Sequence, residues 1–205
     1  MRGFTLIELV ITISVAGILA SLALPQFEEL LRNRRLKSVT DQFYSQIVSA
    51  RTEAVKRGST VILCRTGDPL DLADGGDTPV CLDNVYPNGS ALASKDWSFG
   101  WLVYATAPGF HGERNYNSAL GDELLAVSDA SVLDTGVTVT TNSWGNTWLT
   151  FQGDGTLNES GILYYAVCDS RGVNDGYLIT VFMNGETRID SLPTATVSTC
   201  SPPDS

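Results

Sequence analysis

Histidine is almost missing from this sequence: His111 is the one copy in 205 residues. The four cysteines, Cys64, Cys81, Cys168 and Cys200, include no Cys-x-x-Cys pair. Together these gaps exclude the spacings of zinc sites. The glycines at 67, 75, 76, 153 and 155 are not followed by Gly-Lys-Ser/Thr, so no phosphate-binding loop is encoded. Basic residues become scarce after position 57. Residues 58–205 hold five Lys or Arg against 18 Asp or Glu, a net charge of −13, whereas residues 1–57 hold eight against five. So acidic a segment repels polyphosphate backbones. No internal repeat is evident. The 43% hydrophobic and 18% charged content is that of a folded chain, with room for one sizeable domain plus an extension.

What is present begins at the N-terminus. Phe4 to Leu24 is a 21-residue apolar run with one charge, Glu8. As a helix it would be about 31 Å long, enough to cross a bilayer core. A secretory signal has a shorter, acid-free apolar core and a small-x-small cleavage site, for which Ser21-Leu22-Ala23 is a loose match. Glu8 speaks against that reading. An acid in such a segment costs free energy and calls for a partner. Pro25 has no N–H to bond Ser21, and Gly17 weakens the same stretch, so a bend or local loosening is expected there.

Beyond Pro25 the pattern turns amphipathic. Leu36, Val39, Phe43, Ile47, Ala50 and Ala54 recur at helical spacing and define one face. The other face carries Arg32, Arg34, Arg35, Lys37, Arg51 and Lys56; its cluster Arg32–Lys37, just past the apolar run, reads as a solvated face in contact with lipid headgroups rather than a specific partner site. Lys56-Arg57-Gly58 supplies cations and a glycine, a suitable C-terminus. After Gly58 the period becomes two. "STVILC", "WSFGWLVYA", "VTVTTN", "WLTFQ" and "GILYYAVC" read as strands, and Asn184-Gly185 in "GYLITVFMNGETRI" marks a hairpin. The expected class is α+β: a long N-terminal helix, transmembrane then amphipathic, packed on an antiparallel β-sheet head.

Four scattered cysteines behind an apolar N-terminus suggest export and disulfides. Three pairings are possible. The sequence-local ones, Cys64–Cys81 and Cys168–Cys200, are favoured, and the second would tie down the proline-rich end "PTATVSTCSPPDS". Asp68, Asp71, Asp74 and Asp77 supply oxygen ligands for a weak calcium candidate, but not at EF-hand spacing; a solvated acidic loop is the better reading. His111 lies in a loop-like stretch with no serine singled out beside it, so no catalytic triad is indicated. Trp97, Trp101, Trp144 and Trp148 fit packing better than base stacking. No cofactor and no small-molecule substrate are implied.

"GFTLIELV", the apolar run and Pro25 together resemble the N-terminus of type IV pilins and type II secretion pseudopilins. The resemblance implies that residues 1–3 are a leader. It further implies that a prepilin peptidase cuts between Gly3 and Phe4 and methylates Phe4, and that Glu8 neutralises the Phe4 amine during assembly. "SARTEAVKRGSTVILC", "DWSFGWLVYA" and "FQGDGTL" are similar to the GspH/FimT/FimU branch of minor pilins and pseudopilins. That likeness implies residues 4–57 as the helix, with 4–24 in the membrane or filament core, and 58–205 as a periplasmic head. It further implies an inner-membrane subunit, incorporated near a filament tip, whose partners are other minor and major pilins. Two alternatives accompany this reading, the minor pseudopilin H of type II secretion and a DNA-binding competence pilin. DNA-binding relatives are implied to use Gly-Arg-x-Arg. Here the stretch is Gly185-Glu186-Thr187-Arg188, which leaves Arg188 a weak candidate and no nucleic acid expected.

Overall fold

The computed structural model describes residues 5–66, 81, 97, 98, 100–109, 116–128, 136–141, 148–192 and 200, with only the backbone of 20 and 22–25. Gly3, Phe4, Asp68, Asp71, Asp74, Asp77, His111 and Trp144 lie outside these residues. The chain divides into two compact units, Met1–Arg35 and Leu36–Ser205. Helix α1 (Leu6–Arg57) runs without a break through Gly17 and Pro25. Loss of the Pro25 N–H therefore does not end it. The strands are β1 (Val61–Arg65), β2 (Trp101–Ala105), β3 (Glu123–Val127), β4 (Thr138–Thr141), β5 (Trp148–Phe151), β6 (Leu163–Asp169), β7 (Gly172–Val181) and β8 (Thr187–Ser191).

Over residues 6–19 of the first unit, apolar side chains lie on every side of the helix. Leu6, Ile7, Leu9, Ile11, Ile13, Val15, Ile18 and Leu19 are all exposed. Among the described residues such a surface has no apolar partner, and it calls for lipid or other helices to cover it. Among the described residues no helix is long and apolar enough to cross a membrane. The expected segment, Phe4–Leu24, includes Phe4 and the side chains of 20 and 22–24, which lie outside them.

In the second unit two antiparallel four-stranded sheets form, in the orders β3-β2-β1-β5 and β4-β6-β7-β8. Period-two alternation gives each sheet two apolar faces. Val61 and Leu63 of β1, Trp101 and Val103 of β2, Tyr165 and Val167 of β6, and Ile179 and Val181 of β7 join one core with Leu36, Val39, Phe43, Ile47, Ala50 and Ala54 of α1. The alternate residues form two smaller clusters. Ile62, Cys64, Leu102 and Tyr104 pack with Cys81, and Ala166, Cys168 and Leu178 pack with Leu192 and Cys200. Each smaller cluster contains one disulfide, Cys64–Cys81 or Cys168–Cys200. Cross-linking at those points covers sheet faces that the helix does not reach and reduces the entropy of the unfolded chain.

The aromatic residues concentrate at the centre. Phe43 meets the rings of Trp101, Tyr165 and Trp97 edge-on, at centroid distances of 4.6, 5.1 and 5.8 Å. The helix and both sheets thus share one aromatic contact. Trp97 also joins the sheets through its backbone, its N–H donating to the Val139 carbonyl at 2.7 Å.

Sequence and structure differ in four places. "WSFGWLVYA" is a strand only from Trp101, because Gly100 takes φ 112° and its N–H bonds back to the Trp97 carbonyl. β3, "ELLAV", is a strand with a register shift against β2, and its run of apolar residues hid the alternation. The β6–β7 hairpin starts at Gly172, well before "GYLITV". The Asn184-Gly185 connection is a loop of three residues, closed by the Phe182 N–H on the Glu186 carbonyl; a glycine in the left-handed region ends such loops.

Phe43→Ala is expected to lower the stability of the head by about 3–5 kcal/mol, since the site cannot collapse around rings held from three sides. Urea unfolding of the detergent-solubilised chain, followed by near-ultraviolet circular dichroism, measures it. A loss below about 1 kcal/mol would show that the aromatic contact is not what joins the layers.

Candidate functional site

At the N-terminus, Thr5 caps α1. The Thr5 N–H and hydroxyl donate to Glu8 Oε2 at 3.0 and 2.9 Å, and the Glu8 N–H donates to Thr5 Oγ1 at 3.3 Å. This is a capping box, in which a Thr-x-x-Glu spacing satisfies helix-end donors reciprocally. The spacing is legible in "TLIE", but the sequence reading passed over it. A carboxylate here also sits favourably at the positive end of the helix dipole.

At the other end of α1, Arg51 does not lie idle on a solvated face. Its Nε donates to the Gly155 carbonyl at 3.1 Å and its Nη2 to the Asn184 carbonyl at 2.8 Å. Those carbonyls belong to two turns of the same build. In Gly153-Asp154-Gly155 the Gln152 N–H meets the Thr156 carbonyl; in Met183-Asn184-Gly185 the Phe182 N–H meets the Glu186 carbonyl. Each turn has a side chain at its middle position accepting from the backbone two residues on, Asp154 from Thr156 N–H and Asn184 from Glu186 N–H. Each ends in a glycine with positive φ, 82° at Gly155 and 77° at Gly185. The turns stack so closely that a Cβ on Gly185 would fall 2.1 Å from the Gly155 carbonyl oxygen. A Cβ on Gly153 would fall 2.5 Å from the backbone of Gly58, where the helix stops.

Next to this junction Arg57 binds Glu53 at 2.8 Å and Glu123 at 2.6 Å. The Arg57 hydrogen bonds hold both carboxyls below the usual carboxylate range, and the guanidinium is raised in turn. A cleft of ≈340 Å³ opens here, lined by Arg57, Gly58, Thr106, Gly109 and Glu123 among others. Its two charged groups are bound to each other, so it offers no unspent charge to an ionic ligand.

Arg188 is equally committed. It pairs with Glu186 at 2.7 Å and lies 5.4 Å from the Phe182 ring centroid. Among the tryptophans, Trp97 and Trp101 are fully buried and the Trp101 indole N–H donates to the Gln46 side-chain oxygen; Trp148 is half-buried.

A family model described as type II transport protein GspH matches residues 39–185, from the buried face of the helix to the second of the paired turns. The chain belongs to the GspH family. The prokaryotic N-terminal methylation motif matches residues 1–24. The chain is therefore a pilin-like structural subunit, a minor pilin or pseudopilin, and not an enzyme. A comparison with curated proteins finds no match. Among solved structures, the chain is similar to the type IV minor pilin FimU of Pseudomonas aeruginosa in two crystal forms. One is 16% identical, covering 80% of this chain and 98% of that one, with a TM-score of 0.46. The other is 19% identical, covering 82% and 96%, with a TM-score of 0.47.

Arg51→Met, which keeps the aliphatic stem and removes the donors, is expected to cost about 1–3 kcal/mol. Gly185→Ala should cost more, because it adds left-handed strain to a backbone clash; equal midpoints for wild type and both variants in urea would refute the junction. Arg188 gives no phosphate site, so the purified protein should not retard duplex DNA at physiological salt. A submicromolar, salt-sensitive shift in a gel assay would contradict this.

Proposed function

We propose that this chain is a minor type IV pilin: a structural, priming subunit stored in the inner membrane and drawn into a pilus. The observation that carries the reading is the methylation motif on residues 1–24 joined to an all-round apolar helix and a GspH head. In this reading Phe4–Leu24 spans the bilayer once and later packs among the helices of other minor and major pilins. The leader through Gly3 is removed by prepilin peptidase and Phe4 is methylated. The loop-forming disulfides fit a head kept in the oxidising periplasm. Pro25 gives the helix one backbone bond fewer at the foot of the stem, where assembly can loosen it.

Glu8 has a specific part in this mechanism. Moved into a water-free helix bundle, an unpaired carboxylate is costly, and an unpaired amine is equally so. Pairing Glu8 with the freed Phe4 amine, its own or a neighbour's, removes both penalties and fixes axial register. The minor pseudopilin H of type II secretion works by the same physics. The two readings separate in the cell: deletion of the gene costs piliation in the first and protein secretion in the second.

The capping box makes the Glu8 test sharper. Gln can replace Glu in such a box but carries no charge. Glu8→Gln and Glu8→Val are therefore both expected to be processed to a methylated Phe4, as read by mass spectrometry, and both to enter sheared filaments poorly. If Glu8→Gln assembles as well as wild type, capping alone accounts for Glu8 and the amine pairing is wrong.

A further inference from the structure

Asn-Gly is the dipeptide in which an asparagine side chain closes most readily on its own backbone, because glycine puts no Cβ in the way. The chain has two such pairs, Asn184-Gly185 and Asn88-Gly89, the latter outside the described residues. Asn184 is exposed to water. In the closure the Gly185 nitrogen gives up its proton and attacks Asn184 Cγ; an N–C bond forms and ammonia leaves. Water then opens the succinimide ring at one of its two carbonyls, giving aspartate or isoaspartate. Either product carries one more negative charge than asparagine, and water is the only co-reactant.

For the attack, the peptide joining residues 184 and 185 and the Asn184 side chain must both turn until nitrogen meets Cγ. The peptide is planar, so its carbonyl and its N–H turn together. Each of the groups involved is held. The Asn184 carbonyl accepts from Arg51 Nη2 at 2.8 Å, the Gly185 N–H donates to the Phe182 carbonyl at 2.7 Å, and Asn184 Oδ1 accepts from the Glu186 N–H at 3.0 Å. The stacked turn takes the remaining space, since the Gly155 carbonyl oxygen and Arg51 Nε lie 2.1 and 2.6 Å from where a Gly185 Cβ would be. We propose that Asn184-Gly185 is a latent deamidation site that Arg51 holds shut, so that conversion of Asn184 records opening of the paired turns. The twin turn shows what the two products do. Asp154 has the same place in its turn and accepts from the Thr156 N–H at 2.9 Å, so an aspartate at position 184 keeps the turn. An isoaspartate adds a methylene to the backbone of a three-residue loop and moves the carbonyl off Arg51. Opening of the junction therefore leaves a covalent mark, and the isoaspartate fraction cannot close again.

The test ages the detergent-solubilised full-length chain at mildly alkaline pH and body temperature over several days. Mass spectrometry of the tryptic peptide 172–188, which ends at Arg188, then reads conversion at Asn184 apart from Asn88. A synthetic peptide of the same sequence gives the unrestrained rate. Wild type is expected to convert at least about a hundredfold more slowly than the peptide, because only opened molecules react. Arg51→Met should convert about tenfold faster than wild type while its near-ultraviolet circular dichroism is unchanged. Arg51→Lys, which keeps the charge but not the forked donor, should also convert faster than wild type, and it decides the matter if Arg51→Met does not fold. Phe43→Ala, which weakens the core away from the turns, should convert more slowly than the Arg51 variants. Conversion of wild type at the peptide's rate, or of the folded Arg51 variants at the wild-type rate, would overturn the proposal. So would faster conversion in Phe43→Ala than in the Arg51 variants, which would assign the reaction to global unfolding.

Discussion

Phe43 sets the terms for the rest of the head. It is a helix residue with no exposed surface, and its ring faces the edges of aromatic residues from both sheets. Interiors packed to crystal density leave little slack around such a contact. The second half of α1 is therefore a structural layer of the head. The same continuous helix carries the methylation motif at its start. Whatever force acts on the stem is applied to an element the head cannot release without losing its core.

The paired turns show how the core fixes the surface. Arg51 leaves the helix one position after Ala50, whose side chain is fully buried, so its direction is set by the packing of the core face. Two carbonyls from turns more than a hundred residues away in sequence converge on its guanidinium. Carbonyls can converge only if nothing larger than hydrogen projects there: a Cβ on Gly185 would strike the Gly155 carbonyl oxygen, and one on Gly155 would strike Val55 of the helix. Arg57, further along the helix, repeats the device with side-chain carboxylates in place of carbonyls. The helix thus places each cation against the loops that need it, and the strand edge at β3 is pinned by Glu123.

How much of this could be read beforehand depends on the range of each signal. The helix face was legible residue by residue, because Leu36, Val39, Phe43, Ile47, Ala50 and Ala54 must share a side at 3.6 residues per turn, and all six are buried. Strand alternation was legible too, but it reports faces and not neighbours. Nothing in "GILYYAVC" says that it pairs with β7 in a sheet separate from "STVILC". β3 was missed because a short apolar run with a bulge loses its period. Arg51 was missed for a different reason. In the sequence it is one of six cations on one helix face, no different from Arg34. Only the fold brings carbonyls to the first and leaves the second in water. The Glu8 cap needed no fold; its three-residue spacing from Thr5 was visible but read solely as a charge in an apolar run.

Charge and cap at Glu8 are compatible because a carboxylate has more acceptor sites than the cap uses. Both Thr5 donors reach Oε2, and among the described residues Oε1 takes no hydrogen bond. An ionised carboxylate can accept about four bonds in all. In the proposed mature chain, cleavage after Gly3 would leave the new amine one residue before Thr5 in sequence, and the cap already orients the carboxylate. An aspartate at this position would be one methylene shorter and would have to give up either the cap or the amine. A valine would leave both the helix end and the amine unsatisfied in a medium that supplies no water. Under the proposed pairing, the length of the side chain, its charge and its position three residues from Thr5 are three separate requirements, and glutamate meets all of them.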